Sequence, residues 1–314
     1  MRLMDSGFVF ESHETFILEK IYNRIQEISE TTYEESCFLY GLVQYFNPKK
    51  ILEVGVAAGG STCILLNAAK DMSKTVVHSV DISKKYYRDP SLLSGWKALE
   101  LFPDHPRWHL HLDFDVAEII AKRIKGGVDF LLLDSDHMHP AETLSFLAVF
   151  PYLSGSAVVV LHGVNLFTVP ENSNSYGTKL LLDSVVADKV TPDNFKDDYI
   201  HPNIAAFQIN EDTRKYISNV VRSLFFPWGM DVQEKVLQAT DSIFQEKYQS
   251  ELRSLYLKSV KQNQNLFRSS VDVHRPVVTF GQRLFTVKKE LRAMFAMCTS
   301  SLMKKAGKLS KRKS

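Results

Sequence analysis

Residues Ile51-Leu-Glu-Val-Gly-Val-Ala-Ala-Gly-Gly-Ser61 decide the fold. Ile51, Leu52 and Val54 read as the end of a buried strand, with Glu53 the lone acid in the run. Gly55, Gly59 and Gly60 make a turn, and Ser61-Thr-Cys-Ile-Leu-Leu-Asn-Ala-Ala69 reads as a helix. A strand, a glycine-rich turn and a helix bring backbone N–H groups up against a nucleotide-like ligand. Glycine supplies the positive φ angles and the close approach that such a bend needs.

Outward from this unit, strands and helices alternate. Strands are expected at Lys50–Gly55, Thr75–Asp81, Arg107–Leu112, Val128–Asp134, Ala157–His162 and Ile204–Ile209. Helical patterns cover Ser61–Lys70, Val116–Ile124, Pro140–Tyr152 and Gly177–Val190, and two more precede the first strand at Glu14–Glu30 and Glu34–Tyr45. Alternation of this kind implies a parallel sheet with helices on both faces. Phe130-Leu-Leu-Leu133 and Val158-Val-Val-Leu161 are apolar throughout, which fits strands covered on both sides. The fold class is therefore α/β, a doubly wound, mostly parallel Rossmann-like sheet with helical N-terminal and C-terminal extensions.

After Asn210 the pattern changes. Val236, Leu237, Ile243, Phe244, Tyr248, Leu252, Leu255 and Tyr256 recur at helical spacing, as one long amphipathic helix or two, interrupted at Arg268–Pro276. A last basic helical segment covers about Arg283–Met303. It packs on the body or on a second subunit as a homodimer, or lies on a membrane surface. The division expected is 1–215 for the ligand-binding domain, 216–303 for the helical extension and 304–314 for a basic, disordered tail.

Composition sets outer limits. The 314 residues are 45% apolar and 24% charged, ordinary for a globular protein with a sizeable core. Cys37, Cys63 and Cys298 are too few and too scattered for a disulfide framework, and no Cys/His cluster has zinc spacing. A reducing cytoplasm is the simplest home. The first residues do not read as a signal peptide, and no apolar run is long enough to span a bilayer. Net charge is +2, yet the tail Lys304–Ser314 holds six basic residues and no acid, so the body is mildly acidic. Such a tail is a solvated end, or it draws the chain to an anionic partner or to the inner membrane surface as a peripheral protein.

In doubly wound sheets ligands bind beyond the carboxyl ends of the strands, so the polar residues there are the candidate ligand contacts. Glu53 closes the first strand, Asp81 the second and Asp113 the third. A carboxylate at Asp81 can accept two hydrogen bonds from vicinal ribose hydroxyls, a device shared by several nucleoside-binding folds. The acid-x-Gly-x-x-x-Gly spacing of Glu53, Gly55 and Gly59 resembles motif I of the class I S-adenosylmethionine (SAM) methyltransferases. That resemblance implies SAM as cofactor. Gly55, Gly59, Gly60 and Ser61 would face its amino acid portion, Glu53 its ammonium group, Asp81 its ribose and Asp113 its adenine amine.

The fourth strand leads into Asp134-Ser-Asp-His-Met-His-Pro140 and the fifth into His162-Gly-Val-Asn-Leu-Phe167. This pair resembles a subgroup of SAM O-methyltransferases acting on small molecules and sugars, over about Phe8–Asn210. In its metal-dependent members an acid after each of the two strands holds a divalent cation. Asp134 stands at the first position, but Gly163 stands at the second and cannot coordinate. The resemblance then leaves Asp134, Asp136 and Asn165 as oxygen ligands for Mg²⁺. The metal-free route uses His137 or His162 as the base for an acceptor hydroxyl, with Asp134 or Asp136 orienting the imidazole. His139 and His201 lie nearby in sequence. Phe167, Asn172, Asn174, Tyr176 and Trp228 are the expected acceptor contacts.

The expected activity is SAM-dependent methylation of a hydroxyl on a sugar, glycan or other small polar metabolite. One rival keeps the fold as a SAM-binding regulatory or structural subunit without catalysis, as Gly163 would suggest. Another is an NAD-dependent oxidoreductase, against which the missing G-x-G-x-x-G counts. Nucleic acid is not an expected partner, because the body is mildly acidic and no motif stands ready to receive a flipped base.

Overall fold

A computed structural model describes residues 18–192 and 202–271 of the chain, with side chains to 266. The basic tail, the segment 283–303, Cys298 and His201 lie outside the described residues.

The helix α1 (Tyr33–Phe46) opens with a reciprocal cap. Thr32 accepts from the Glu35 backbone, and Glu35 accepts from the Thr32 backbone. It closes on Asn47 in the left-handed conformation, just before Pro48. The chain then enters β1 (Lys50–Val54), turns through glycine and forms α2 (Gly60–Ala68). There follow β2 (Val76–Asp81), α3 (Trp96–Leu101), β3 (Trp108–Leu112), α4 (Val116–Ile119), β4 (Val128–Leu133), α5 (Ala141–Val149) and β5 (Leu153–His162). The remainder is α6 (Gly177–Ser184), β6 (Lys189–Val190), β7 (Ile204–Gln208), α7 (Glu211–Lys215), α8 (Ile217–Ser223), α9 (Glu234–Lys247) and α10 (Ser250–Val271).

One seven-stranded sheet has the order β3-β2-β1-β4-β5-β7-β6. The first five strands run parallel, and β7 is antiparallel to both β5 and β6. The order reverses between β1 and β4, and that switch point is where such sheets open a ligand crevice.

Alternate residues of each strand supply two separate cores, as the period of two requires. Leu52, Val80, Leu131, Leu133, Val159, Leu161 and Phe207 pack on the face covered by α4, α5, α6, α8, α9 and α10. Ile51, Val77, Phe130, Leu132, Val158, Val160 and Ala206 pack on the opposite face, under α1, α2 and the residues Leu18, Ile21 and Ile25. Each fully buried Leu, Ile, Val or Phe contributes on the order of 1.5–3 kcal/mol relative to an exposed one. The helices after 210 enter the first of these cores through Leu237, Ile243, Phe244 and Tyr256, and Tyr248 donates its hydroxyl hydrogen to the Leu147 carbonyl.

Two local expectations need correction, and one helix was not expected. Lys189–Val190 is an edge strand rather than the end of the Gly177 helix, which stops at Ser184. Its pairing with Phe207 and Ala206 outweighs helical periodicity there. The helix Trp96–Leu101 has too little periodicity to be seen in the sequence. In the N-terminal helical pattern, 18–22 is helical and 23–28 tightens into turns.

Candidate active site

Gly55 ends β1 with φ +93°. A Cβ there would fall 1.8 Å from the Asp134 carbonyl oxygen, so only glycine lets the ends of β1 and β4 meet. The Asp134 N–H donates to the Val54 carbonyl and continues that contact. Gly59, at φ +94°, caps α2 and faces Ala98 and Gly95, while Gly60 packs against Ser29.

The three strand-end acids have different surroundings. Asp81 grips the glycine turn. One of its oxygens accepts from the Val56 and Ala57 N–H groups at 3.0 and 3.1 Å, and the other from Ser83 at 2.8 Å. Burial pushes its carboxyl upward, against the pull of those backbone donors. Asp113 is exposed and sits at φ +67° where β3 ends. Glu53 has no exposed surface. Its two oxygens accept from the Ser61 and Thr62 hydroxyls at 2.6 and 2.7 Å, and burial raises it to about 7. In this structure Glu53 anchors the first turn of α2 from beneath rather than lining the crevice.

At the carboxyl ends of β4 and β5, Asp134, His137 and His162 come together. Asp134 Oδ1 lies 2.8 Å from His162 Nδ1 and 3.5 Å from His137 Nε2. The other nitrogen of His162, Nε2, faces Glu35 Oε2 of α1 at 3.5 Å without hydrogen-bond geometry. Burial disfavours an imidazolium at His162, yet the charge and hydrogen bond of Asp134, with Glu35 behind, outweigh it and raise its pKa well above the usual range. Burial likewise works against the Asp134 carboxylate, and His162 brings its pKa below the usual value. At His137 burial dominates, and its pKa is lowered despite Asp134.

His137 is held in place from three sides. Its backbone N–H donates to Glu142 Oε1 at 2.7 Å, its carbonyl accepts from Gly177 N–H at 2.8 Å, and its Nδ1 lies 3.3 Å from the Thr178 hydroxyl. It adopts φ +58°, a conformation that costs of order 1–3 kcal/mol for a residue with a Cβ and persists where the surroundings fix it. The Glu142 carboxyl, fully buried, rises to about 7.

Not every expected site residue joins this group. Asp136 is half-buried, and burial with the neighbouring Glu142 charge raises it to about 6. Asn165 donates its side-chain N–H to the Pro202 carbonyl at 2.6 Å and its backbone N–H to Asn203 Oδ1 at 2.8 Å. His139 is buried against Tyr176, whose hydroxyl donates to the Pro227 carbonyl. Trp228 is half-buried and donates its indole N–H to the Leu224 carbonyl, so it serves packing as well as any contact with a ligand. Phe167 and Asn172 are half-buried, and Asn174 is exposed.

Sequence reasoning missed Glu35, Glu142, Thr178 and Ile82. Thr32-Tyr-Glu-Glu35 reads as a helix cap, and nothing local shows that Glu35 reaches His162. Ile82 is an apolar side chain 41% exposed directly after Asp81.

Residues 52–164 match a family model described as a methyltransferase domain. Among solved structures, the chain is similar to the O-methyltransferase TomG from Streptomyces achromogenes in complex with SAM, at 16% identity over 67% of this chain and 95% of that one, with a TM-score of 0.47. It is also similar to the O-methyltransferase from Bacillus cereus in complex with SAH, at 16% identity over 66% and 96%, with a TM-score of 0.47. A third similar structure is the SAH-bound methyltransferase PaMTH1 from Podospora anserina, at 13% identity over 65% and 99%, with a TM-score of 0.46. No curated protein matches the chain. Among the described residues no helix is long and apolar enough to cross a membrane.

Proposed function

We propose that this chain, whose residues 52–164 match a methyltransferase-domain model, is a class I SAM-dependent methyltransferase that methylates a hydroxyl oxygen on a small polar acceptor such as a sugar or glycan unit. One observation carries this reading. The glycine bend after β1 is fixed by Asp81 from the end of β2, next to exposed Ile82 and in line with exposed Asp113 at the end of β3. A carboxylate and an apolar plate at the end of β2 and a second carboxylate at the end of β3, beside the glycine bend after β1, suit the ribose, ring and amine of an adenosyl group.

SAM, when bound, supplies an electrophilic methyl on a sulfonium. The protein's part is placement and exclusion of water around that charge. Asp134, His137 and His162 stand at the next two strand ends, where an acceptor hydroxyl would be received. His162 lies between two carboxylates that favour its imidazolium, so it has no free lone pair to act as a base and serves to position Asp134. His137, whose pKa is lowered by burial, turns its Nε2 toward Asp134 Oδ1 at 3.5 Å. In its neutral form with the proton on Nδ1, that nitrogen would take the proton of an acceptor hydroxyl.

The test is calorimetric titration of the full chain with SAM, followed by transfer of labelled methyl from SAM to a panel of polyhydroxylated acceptors. Binding with turnover supports the reading. Binding without turnover on any acceptor, in wild type as in Asp134→Asn, would leave a non-catalytic SAM binder.

A further inference from the structure

The geometry points to a divalent transition-metal site built from Asp134, His137 and His162, a carboxylate and two imidazoles. It stands on side-chain placement alone; only its use in methyl transfer rests on the function proposed above. The three residues each offer one ligand atom, and these atoms all lie within 4.8 Å of one another. Asp134 Oδ1 is 2.8 Å from one imidazole nitrogen and 3.5 Å from the other. Neighbouring donors on a cation with bonds of about 2.1 Å are about 3.0–3.4 Å apart. Little movement is needed to close the three around one ion.

The second nitrogen of each ring supports the assignment. Metal-bound histidines almost always direct their other ring N–H to a carboxylate or other acceptor, which fixes the tautomer and ring orientation. His162 presents Nε2 to Glu35 at 3.5 Å. His137 presents Nδ1 to the Thr178 hydroxyl at 3.3 Å and to Glu142 at 3.8 Å. In both rings the nitrogen that faces Asp134 is the one left for an ion. All three side chains are nearly buried, so this is not a chance gathering of surface charges.

Gly163 leaves the room that the His137 ring fills. The position where the resemblance places a second acid holds a glycine, and the His137 ring occupies the space beside it. A Cβ at residue 163 would lie 2.2 Å from His137 Nδ1. The donor set at this end of the sheet is therefore one carboxylate and two imidazoles. Two nitrogens and one oxygen suit Mn²⁺, Fe²⁺, Co²⁺ or Zn²⁺, whereas Mg²⁺ and Ca²⁺ favour oxygen ligands. A bound ion would need the Nδ1 lone pair of His162, and any proton there would leave to solvent. The remaining coordination positions fall to water or to the acceptor hydroxyl, whose pKa the ion lowers.

The experiment is titration of the tag-free, chelator-treated full chain with Co²⁺, followed by visible absorption, with circular dichroism to verify folding. We expect one Co²⁺ per chain, retained against millimolar Mg²⁺ and weakened at least about 100-fold in both His162→Gln and His137→Gln. His111→Asn serves as a control, because His78 and His111 form a second imidazole pair 3.1 Å apart on β2 and β3. The site is overturned if no Co²⁺ binds at millimolar levels, if Mg²⁺ displaces it readily, or if only His111→Asn abolishes binding. SAM titration of the same samples separates the two claims. SAM binding without Co²⁺ binding removes the metal site alone, and Co²⁺ binding without SAM binding removes the methyltransferase reading alone.

Discussion

The imidazole of His137 occupies the space that a side chain on Gly163 would need. A Cβ at 163 would fall 2.2 Å from His137 Nδ1, and Gly163 holds φ +83°. Gly163→Ala should therefore push the His137 ring away from Asp134 and strain the backbone, with a stability loss of about 1–3 kcal/mol. Urea denaturation checks the stability loss, and methyl transfer should fall further than stability does. A variant with normal stability and activity would contradict the packing described.

Asp81 holds the Val56 and Ala57 N–H groups, and the proposed function gives it the ribose. Hydrogen bonds to a charged group are worth about 1.5–3 kcal/mol each. Asp81→Ala should weaken SAM binding by about 10- to 100-fold, read by calorimetry. An unchanged dissociation constant would remove Asp81 from the cofactor site.

The His162–Asp134 pair should shape stability against pH in the chelator-treated protein. The folded pKa of His162 is raised, so its contribution is complete below the unfolded value of about 6.5 and disappears as pH rises through the folded value. The folded pKa of Asp134 is lowered, so its contribution exists above the unfolded value of about 3.9 and is lost as pH falls through the folded value. The pair therefore stabilises most between about pH 4 and 6.5. Urea unfolding of wild type and His162→Gln at pH 6 and pH 9.5 should show the gap narrowing at the higher pH. A constant gap would mean that His162 is neutral in the folded protein.

His78 moves the other way. Burial, with His109 and His111 beside it, lowers its pKa to about 4. The unfolded chain takes up this proton first, so the fold loses stability between about pH 6.5 and pH 4. His78→Leu should flatten thermal melting across that interval. Equal slopes in variant and wild type would show that other groups control the acid limb.

Tyr256 fixes α10 to α9. It is fully buried, stacks on Phe244 at 4.6 Å between ring centres and donates its hydroxyl hydrogen to the Leu237 carbonyl. Tyr256→Phe should cost about 1 kcal/mol and Tyr256→Ala about 3–5 kcal/mol, in denaturant titrations. Similar small losses for both would place little weight on this ring.

The sheet was legible because its strands are continuous apolar runs and its first turn needs glycine. The two-residue strand Lys189–Val190 was not, because its conformation comes from pairing with β7 rather than from its own residues. Asp134, His137 and His162 could be named from the ends of two strands. Their chemistry could not, since His162 depends on Glu35 from a distant helix cap and His137 on space left by Gly163. Glu53 was legible as a strand-end acid, but the two hydroxyls that engage it belong to the helix above.

The most direct test of the central claim is calorimetry of the full chain with SAM and, separately, with NADH. The account predicts saturable one-to-one binding of SAM that Asp81→Ala weakens, and no heat from NADH. Absence of SAM binding at millimolar concentration, from a folded sample, would contradict it.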